Sequence, residues 1–288
     1  MMMQSFMIIY TYKEPVEAAQ IIMDRMTMPD KPLYSSLFEG LSMCKEIGNI
    51  EQWADIIKKA LSDEEYVVNA VLKYLKMNIN EYVSDEVIKG IMPDVKRQFR
   101  SWLNKPLMCN SCKPPVQLDE RGFCPKCHTG RSLPFAVFFD VFLLWDHLSL
   151  EEIYSYMEHP VSELSKAARR GMLAYLQKYP DLIQECIDAI KNNTYNARVF
   201  DVILKLPHQY VLPYKQEILE IANSDNHRCI IYFIRRLNRL EWIDESERKE
   251  YITRMIGHED QDIRSEAMAA HLGEKTDRHI FDEVFYRE

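Results

Sequence analysis

Eight glycines in 288 residues constrain this chain more than any other feature, because an average sequence of that length carries about 20. Hairpin-rich β folds and nucleotide-binding folds spend glycine freely. They use it where φ is positive in tight turns and where backbone must approach a phosphate. With glycine this scarce, and with 15 Met beside many Leu, Ile, Glu and Lys, the chain is predicted to be mostly helical. Hydrophobic residues at 47% and charged residues at 28% suit a globular protein with a real core.

The net charge is −8, so nothing global draws the chain to nucleic acid or to an anionic membrane. The opening stretch to Glu14 has no basic segment, and its apolar run, Phe6–Tyr10, is too short for a signal peptide. The most apolar stretch, Leu133–Trp145, is too short to span a bilayer and contains Asp140. It reads as a fully buried core helix, and no membrane association is expected. Seven cysteines, an odd number without a secretion signal, predict reduced thiols and a cytoplasmic, intracellular setting.

Helix punctuation recurs along the chain. Ser62 stands three residues before Glu65, and Ser149 three before Glu152, as in capping boxes. Gly48, Gly257 and Gly273 each follow a helical run, where a left-handed C-terminal cap would sit. Four segments of the C-terminal half align, ending at Leu176, Leu206, Leu237 and Leu272, which are 30, 31 and 35 residues apart. Each precedes a second apolar-periodic stretch, at 181–190, 212–222, 246–256 and 279–286. In the N-terminal half, 41–61 overlays 72–92 with a shift of 31, matching Ile57 to Ile88 and Leu61 to Met92. A single helical hairpin cannot bury its apolar face, so a repeat of this length predicts stacked hairpins. The stretch His258–Ala267, an acidic turn followed by Ile263-Arg264 and then small residues, resembles the start of a HEAT repeat. That resemblance spans 158–288 and implies an all-α HEAT-like solenoid; an irregular helical array is the alternative.

Composition changes between the two helical halves. Cys109, Cys112, Cys124 and Cys127 form C-x2-C-x11-C-x2-C. Two intervening residues let one turn present two sulfurs to one ion, and Zn²⁺ takes four thiolates in a tetrahedron. Val116-Gln117-Leu118 alternates like a strand, Asp119 and Gly122 occupy turn positions, and Phe123 brings the chain back. The segment resembles a zinc ribbon, whose second knuckle commonly reads Phe-Cys-Pro-x-Cys as Phe123–Cys127 does. One structural Zn²⁺ is expected, because four thiolates leave no open coordination position. His128 adjoins Cys127 too closely to replace a ligand. Cys44, Cys186 and Cys229 fall at apolar helical positions and read as core thiols. The expected organisation is an N-terminal helical region (1–105), the ribbon (106–131) and HEAT-like repeats (132–288).

From Lys96 to Arg131 the chain carries eight bases and two acids, a local +6; the formal −2 of a zinc tetrathiolate lowers this to about +4. Arg97, Arg100, Lys105, Lys113, Arg121, Lys126 and Arg131 are therefore candidates for contact with nucleic acid or an acidic partner. Phe99, Trp102 and Phe123 lie among them as candidate stacking groups. No nucleophile elbow, dinucleotide or phosphate loop, or H-E-x-x-H pattern occurs. Asp140 and the Asp146-His147 pair on the apolar helix would matter chemically only if buried. Three functions follow in order. The first is a non-enzymatic scaffold or adaptor that binds a protein partner. The second is a nucleic-acid-binding protein acting through the ribbon and the helix from Pro93 to Asn104. The third is a HEAT-like, DNA-glycosylase-like enzyme with Arg169, Arg170, Arg235 and Arg236 on a basic face.

Overall fold

A computed structural model describes residues 14–28, 34–44, 46–77, 83–104, 106, 108–109, 111–119, 123–129, 135–144, 147–159 and 162–273. These residues are predominantly helical, as the glycine count predicts. Two compact units are present, Met1–Gly171 and Met172–Glu288, and their boundary falls inside a helix. The terminal stretch 279–286, expected as a last second helix, lies outside the described residues.

In the first unit, α1 (Pro15–Thr27), α2 (Tyr34–Ser42), α3 (Ile50–Leu61), α4 (Glu65–Leu75), α5 (Asp85–Leu103) and α6 (Phe135–Leu144) follow one another. Each packs on its successor within a pair and on the helix two places along. Thus α1, α3 and α5 form one row and α2, α4 and α6 another. The 31-residue shift read from the sequence carries α2 onto α4 and α3 onto α5. Its matched residues Leu41, Ile57, Leu61, Leu72, Ile88 and Met92 are all buried. Trp53 and Tyr74 join the rows, with the indole N–H donating to the phenol oxygen at 2.9 Å, so both polar tips are satisfied inside the core.

The apolar helix α6 buries Phe135, Phe138, Phe139, Val141 and Phe142 but is not buried all round as expected, since Leu144 is 42% exposed. Phe99 of α5 lies among Phe135, Phe138, Phe139, Phe142 and Tyr156, with ring centroids 5.3–6.0 Å away. Such pairs add about 0.5–1.5 kcal/mol each beyond their buried area. The Ser149 capping box is present at the start of α7 (Leu150–Met157). Gly171, in α8 (Ser162–Lys178), sits where an added Cβ would come within 3.0 Å of Phe139, so close approach explains this helical glycine.

Several local expectations change. Pro93 does not start a helix; α5 runs through it from Asp85. Ile88, Ile91, Met92, Val95, Phe99 and Trp102 keep one buried stripe strong enough to override the lost backbone bond. The carbonyl left without its donor is that of Lys89, an exposed residue that water can reach. Ser62 does not cap α4; its hydroxyl donates to the Lys58 carbonyl and closes α3. Gly273 is a left-handed cap with φ 68°, but Gly257 has φ −88°. Gly48 instead precedes α3, where a Cβ would collide with Val16.

The second unit continues with α9 (Leu182–Lys191), α10 (Ala197–Ile203), α11 (His208–Val211), a 3-10 turn (Leu212–Tyr214), α12 (Lys215–Ala222), α13 (His227–Leu237), α14 (Glu245–Ile256) and α15 (Gln261–Leu272). Here α10, α13 and α15 pack in one succession, and α9 packs on α12. Polar links repeat the period. Lys191 pairs with Glu220, Lys215 with Glu247, Arg235 with Glu266 and Arg236 with Asp201. The Tyr251 hydroxyl donates to the Ala222 carbonyl at 2.6 Å. These partners lie 29–35 residues apart, the spacing seen in the sequence. At the HEAT-like stretch, Asp260 caps α15 by accepting from the Asp262 and Ile263 N–H groups, and Arg264 donates to the His258 and Glu259 carbonyls.

Candidate metal centre

The four-cysteine segment lies between α5 and α6, two helices that pack on each other, so it occupies the connection of a helical hairpin. Chain pairing within it is short. Met108 and Gln117 form an antiparallel bridge, the Cys109 N–H donates to the Val116 carbonyl at 2.7 Å, and the Asp119 N–H donates to the Phe123 carbonyl at 2.8 Å. No strand forms among the described residues of the segment. The turn itself, 120–122, lies outside the described residues.

This pairing brings both Cys pairs together. The Cys109 and Cys127 sulfurs are 3.6 Å apart, those of Cys112 and Cys124 are 3.7 Å apart, and all four lie within 4.8 Å of one another. A disulfide needs about 2.05 Å, so these are thiols, as predicted. Thiolates at about 2.3 Å from one tetrahedral ion lie about 3.8 Å apart, and the observed spacings fit that edge. Cys109, Cys112 and Cys124 are buried with Leu118, and Val116 packs against them. Among the described residues that is the local core, too small to hold the segment by apolar burial alone.

The polar surroundings favour thiolate. The Ser111 N–H donates to the Cys109 sulfur at 3.4 Å, and the Thr129 hydroxyl lies 2.8 Å from the Cys127 sulfur. The Thr129 hydroxyl and its backbone N–H draw the Cys127 thiol down to about 6. Cys112 is pushed up to about 12, first by Cys127 and then by burial and the other two thiols. Four thiolates this close repel one another, and a cation at their centre removes the conflict. His128 takes a left-handed conformation, φ 57°, its N–H donating to the Cys124 carbonyl at 2.8 Å; it is exposed and outside the sulfur cluster. Thr129 was not singled out in the sequence, although a hydroxyl two places after a knuckle cysteine is a readable signal. Away from this centre, burial pushes Cys186 and Cys229 up to about 12 and Cys44 up to about 11, as core thiols should behave.

The basic candidates are less coherent. Arg97 is exposed and pairs with Asp94 at 2.7 Å. Arg100 is exposed on the last turns of α5, and Lys113 and Lys126 are exposed beside the cysteines. Lys105, Arg121 and Arg131 lie outside the described residues. Phe99 and Trp102 are core residues, 1% and 8% exposed, and not stacking platforms; Phe123 alone of the three is open, at 41%. Asp140 is not a buried carboxylate either: it is half-exposed and paired with Lys76. Asp146 lies outside the described residues, and burial pulls the His147 imidazole below its ordinary value, with Lys96 adding to the effect. Arg235 and Arg236 are each bonded to a buried acid, Glu266 and Asp201.

Fold and site together define a predominantly helical protein with a four-cysteine cluster that can hold a metal ion. Among the described residues no helix is long and apolar enough to cross a membrane. The chain matches no protein-family model, no curated protein and no solved structure.

Proposed function

We propose that this chain is a non-enzymatic interaction protein, a HEAT-like array of helical hairpins that grips a protein partner and carries one structural zinc in a ribbon-like hairpin connection. Cys109, Cys112, Cys124 and Cys127 would supply all four ligands. Zn²⁺ suits soft thiolates in a tetrahedron, and a closed set of four leaves no position for substrate. The zinc would therefore fix the fold of the connection. Support for the array comes from one observation, the succession of inter-helix polar links at 29–35 residues. Stacked hairpins offer long continuous surfaces to a partner.

Two measurements test this. Elemental analysis of protein purified without chelator should give one zinc per chain, and a Cys112→Ser/Cys124→Ser chain should retain none; a wild-type chain without metal overturns the zinc assignment. Purification of the tagged chain under nuclease treatment should retain a protein at fixed stoichiometry. Recovery of nucleic acid alone, lost on nuclease treatment, overturns the partner assignment.

Nucleic-acid contact through the ribbon is the second reading. It is favoured by exposed Phe123 on a segment whose Lys113 and Lys126 have no ion-pair partner among the described residues. An aromatic with nearby cations is the basic element of single-strand binding. A salt titration with short DNA and RNA separates the readings: a steep log–log slope that flattens in Lys113→Glu/Lys126→Glu supports nucleic acid, and no binding at low salt removes it.

A further inference from the structure

The second unit contains a groove of about 400 Å³ between the turn after α10 and the turn after α13. Lys205, His208, Arg236 and Arg239 line it, with Glu241 and Trp242. This is an unusual concentration of cations in a chain of net charge −8, and its volume lies within the range of small-ligand sites.

Asp201 explains how the cations are held. It does not line the groove; its side chain is only 6% exposed, and it accepts from both Lys205 Nζ and Arg236 Nε. One buried carboxylate needs one cation, and Lys205 already supplies it. A second cation costs desolvation without a matching charge, so structural pairing alone does not account for Arg236. Anchoring through Nε also leaves the two Nη groups, the edge that grips a planar pair of oxygens, without an acceptor among the described residues. The one carboxylate lining the groove, Glu241, is 81% exposed and lies 3.5 Å from His208 Nδ1.

We propose that this groove binds a phosphomonoester dianion, gripped by the Nη edge of Arg236 with Lys205 and Arg239 as further cations. A carboxylate is a single negative charge and is satisfied by one guanidinium fork. The three cations Lys205, Arg236 and Arg239 against the two acids Asp201 and Glu241 leave one positive charge over, and two guanidinium groups facing one groove match the three acceptor oxygens of a phosphate better than the two of a carboxylate. The site is independent of the zinc connection, which lies in the other unit.

Calorimetric titration of the full chain in chloride buffer tests the assignment, using N-acetyl-O-phosphoserine amide, inorganic phosphate and N-acetylaspartate amide. The phosphoserine compound or phosphate should bind saturably, about tenfold or more tighter than the aspartate compound. Arg236→Lys keeps a partner for Asp201 but loses the planar fork. It should weaken phosphate binding about tenfold while leaving the thermal midpoint near that of wild type. Arg239→Gln, at an exposed position, should weaken binding without touching Asp201. Preference for the phosphoserine compound identifies a phosphorylated chain as the ligand source, and equal binding identifies free phosphate. No saturable binding of either phosphate, equal binding of the aspartate compound, or binding unchanged in both variants overturns the proposal.

Discussion

Glu266 and Arg235 pair at 2.6 Å with side chains 6% and 13% exposed, a geometry in which losing one partner costs more than the pair contributes. Glu266→Ala removes a carboxylate partner from a buried guanidinium and should destabilise the chain by about 3 kcal/mol in urea denaturation. Replacing both, as Arg235→Met/Glu266→Leu, should recover most of that loss. Glu152 shows the pH side of the same physics. Burial raises its carboxyl, but Lys96 Nζ at 2.8 Å and the Ser149 N–H outweigh burial and hold it below the ordinary value. A depressed carboxyl stabilises above its unfolded value and ceases to do so as pH falls through its folded value. The stability gap between wild type and Glu152→Gln should therefore be fully open at pH 7, begin to narrow as pH falls through the unfolded value of about 4.3, and close only below the lower folded value, as read from denaturation midpoints across that range.

At the scale of the element, the caps carry comparable leverage. Ser149 accepts from the Glu152 N–H while the Glu152 carboxylate accepts from the Ser149 N–H. Ser149→Ala should cost about 1 kcal/mol, measured by thermal denaturation, and Ser149→Asp should restore it. That capping box was legible because its S-x-x-E pattern stands directly before an apolar-periodic run. The same pattern at Ser62 misleads because α3 extends to Leu61, claiming the serine for its own end. Pro93 misleads for a related reason: the apolar stripe from Ile88 to Trp102 is a tertiary signal, whereas proline is a local one. The gathering of the four cysteines was readable because their spacing is a covalent property of the sequence. Thr129, two places after Cys127, was readable by the same local logic but overlooked, whereas the burial of Phe99 and Trp102 depends on packing that spacing does not encode. Asp201 and Glu266 were missed altogether, since a buried acid on a helix has the same letter as a solvated one.

For the whole molecule, the place of the cysteine segment decides what metal loss does. The segment joins α5 to α6, and both helices are held by the rows they extend. Removing the proposed zinc with a chelator should leave far-ultraviolet circular dichroism almost unchanged while opening protease cleavage between residues 104 and 135, detected by mass spectrometry of the fragments. A collapse of helical signal would mean that the metal holds the rows as well.

The links at 29–35 residues in the second unit also have a kinetic meaning. None requires the chain to close a long loop, so the entropy of forming each contact is small and nearly equal along the unit. Folding should be correspondingly fast. During synthesis each hairpin would meet its neighbour after about thirty further residues have emerged, rather than waiting for a distant terminus.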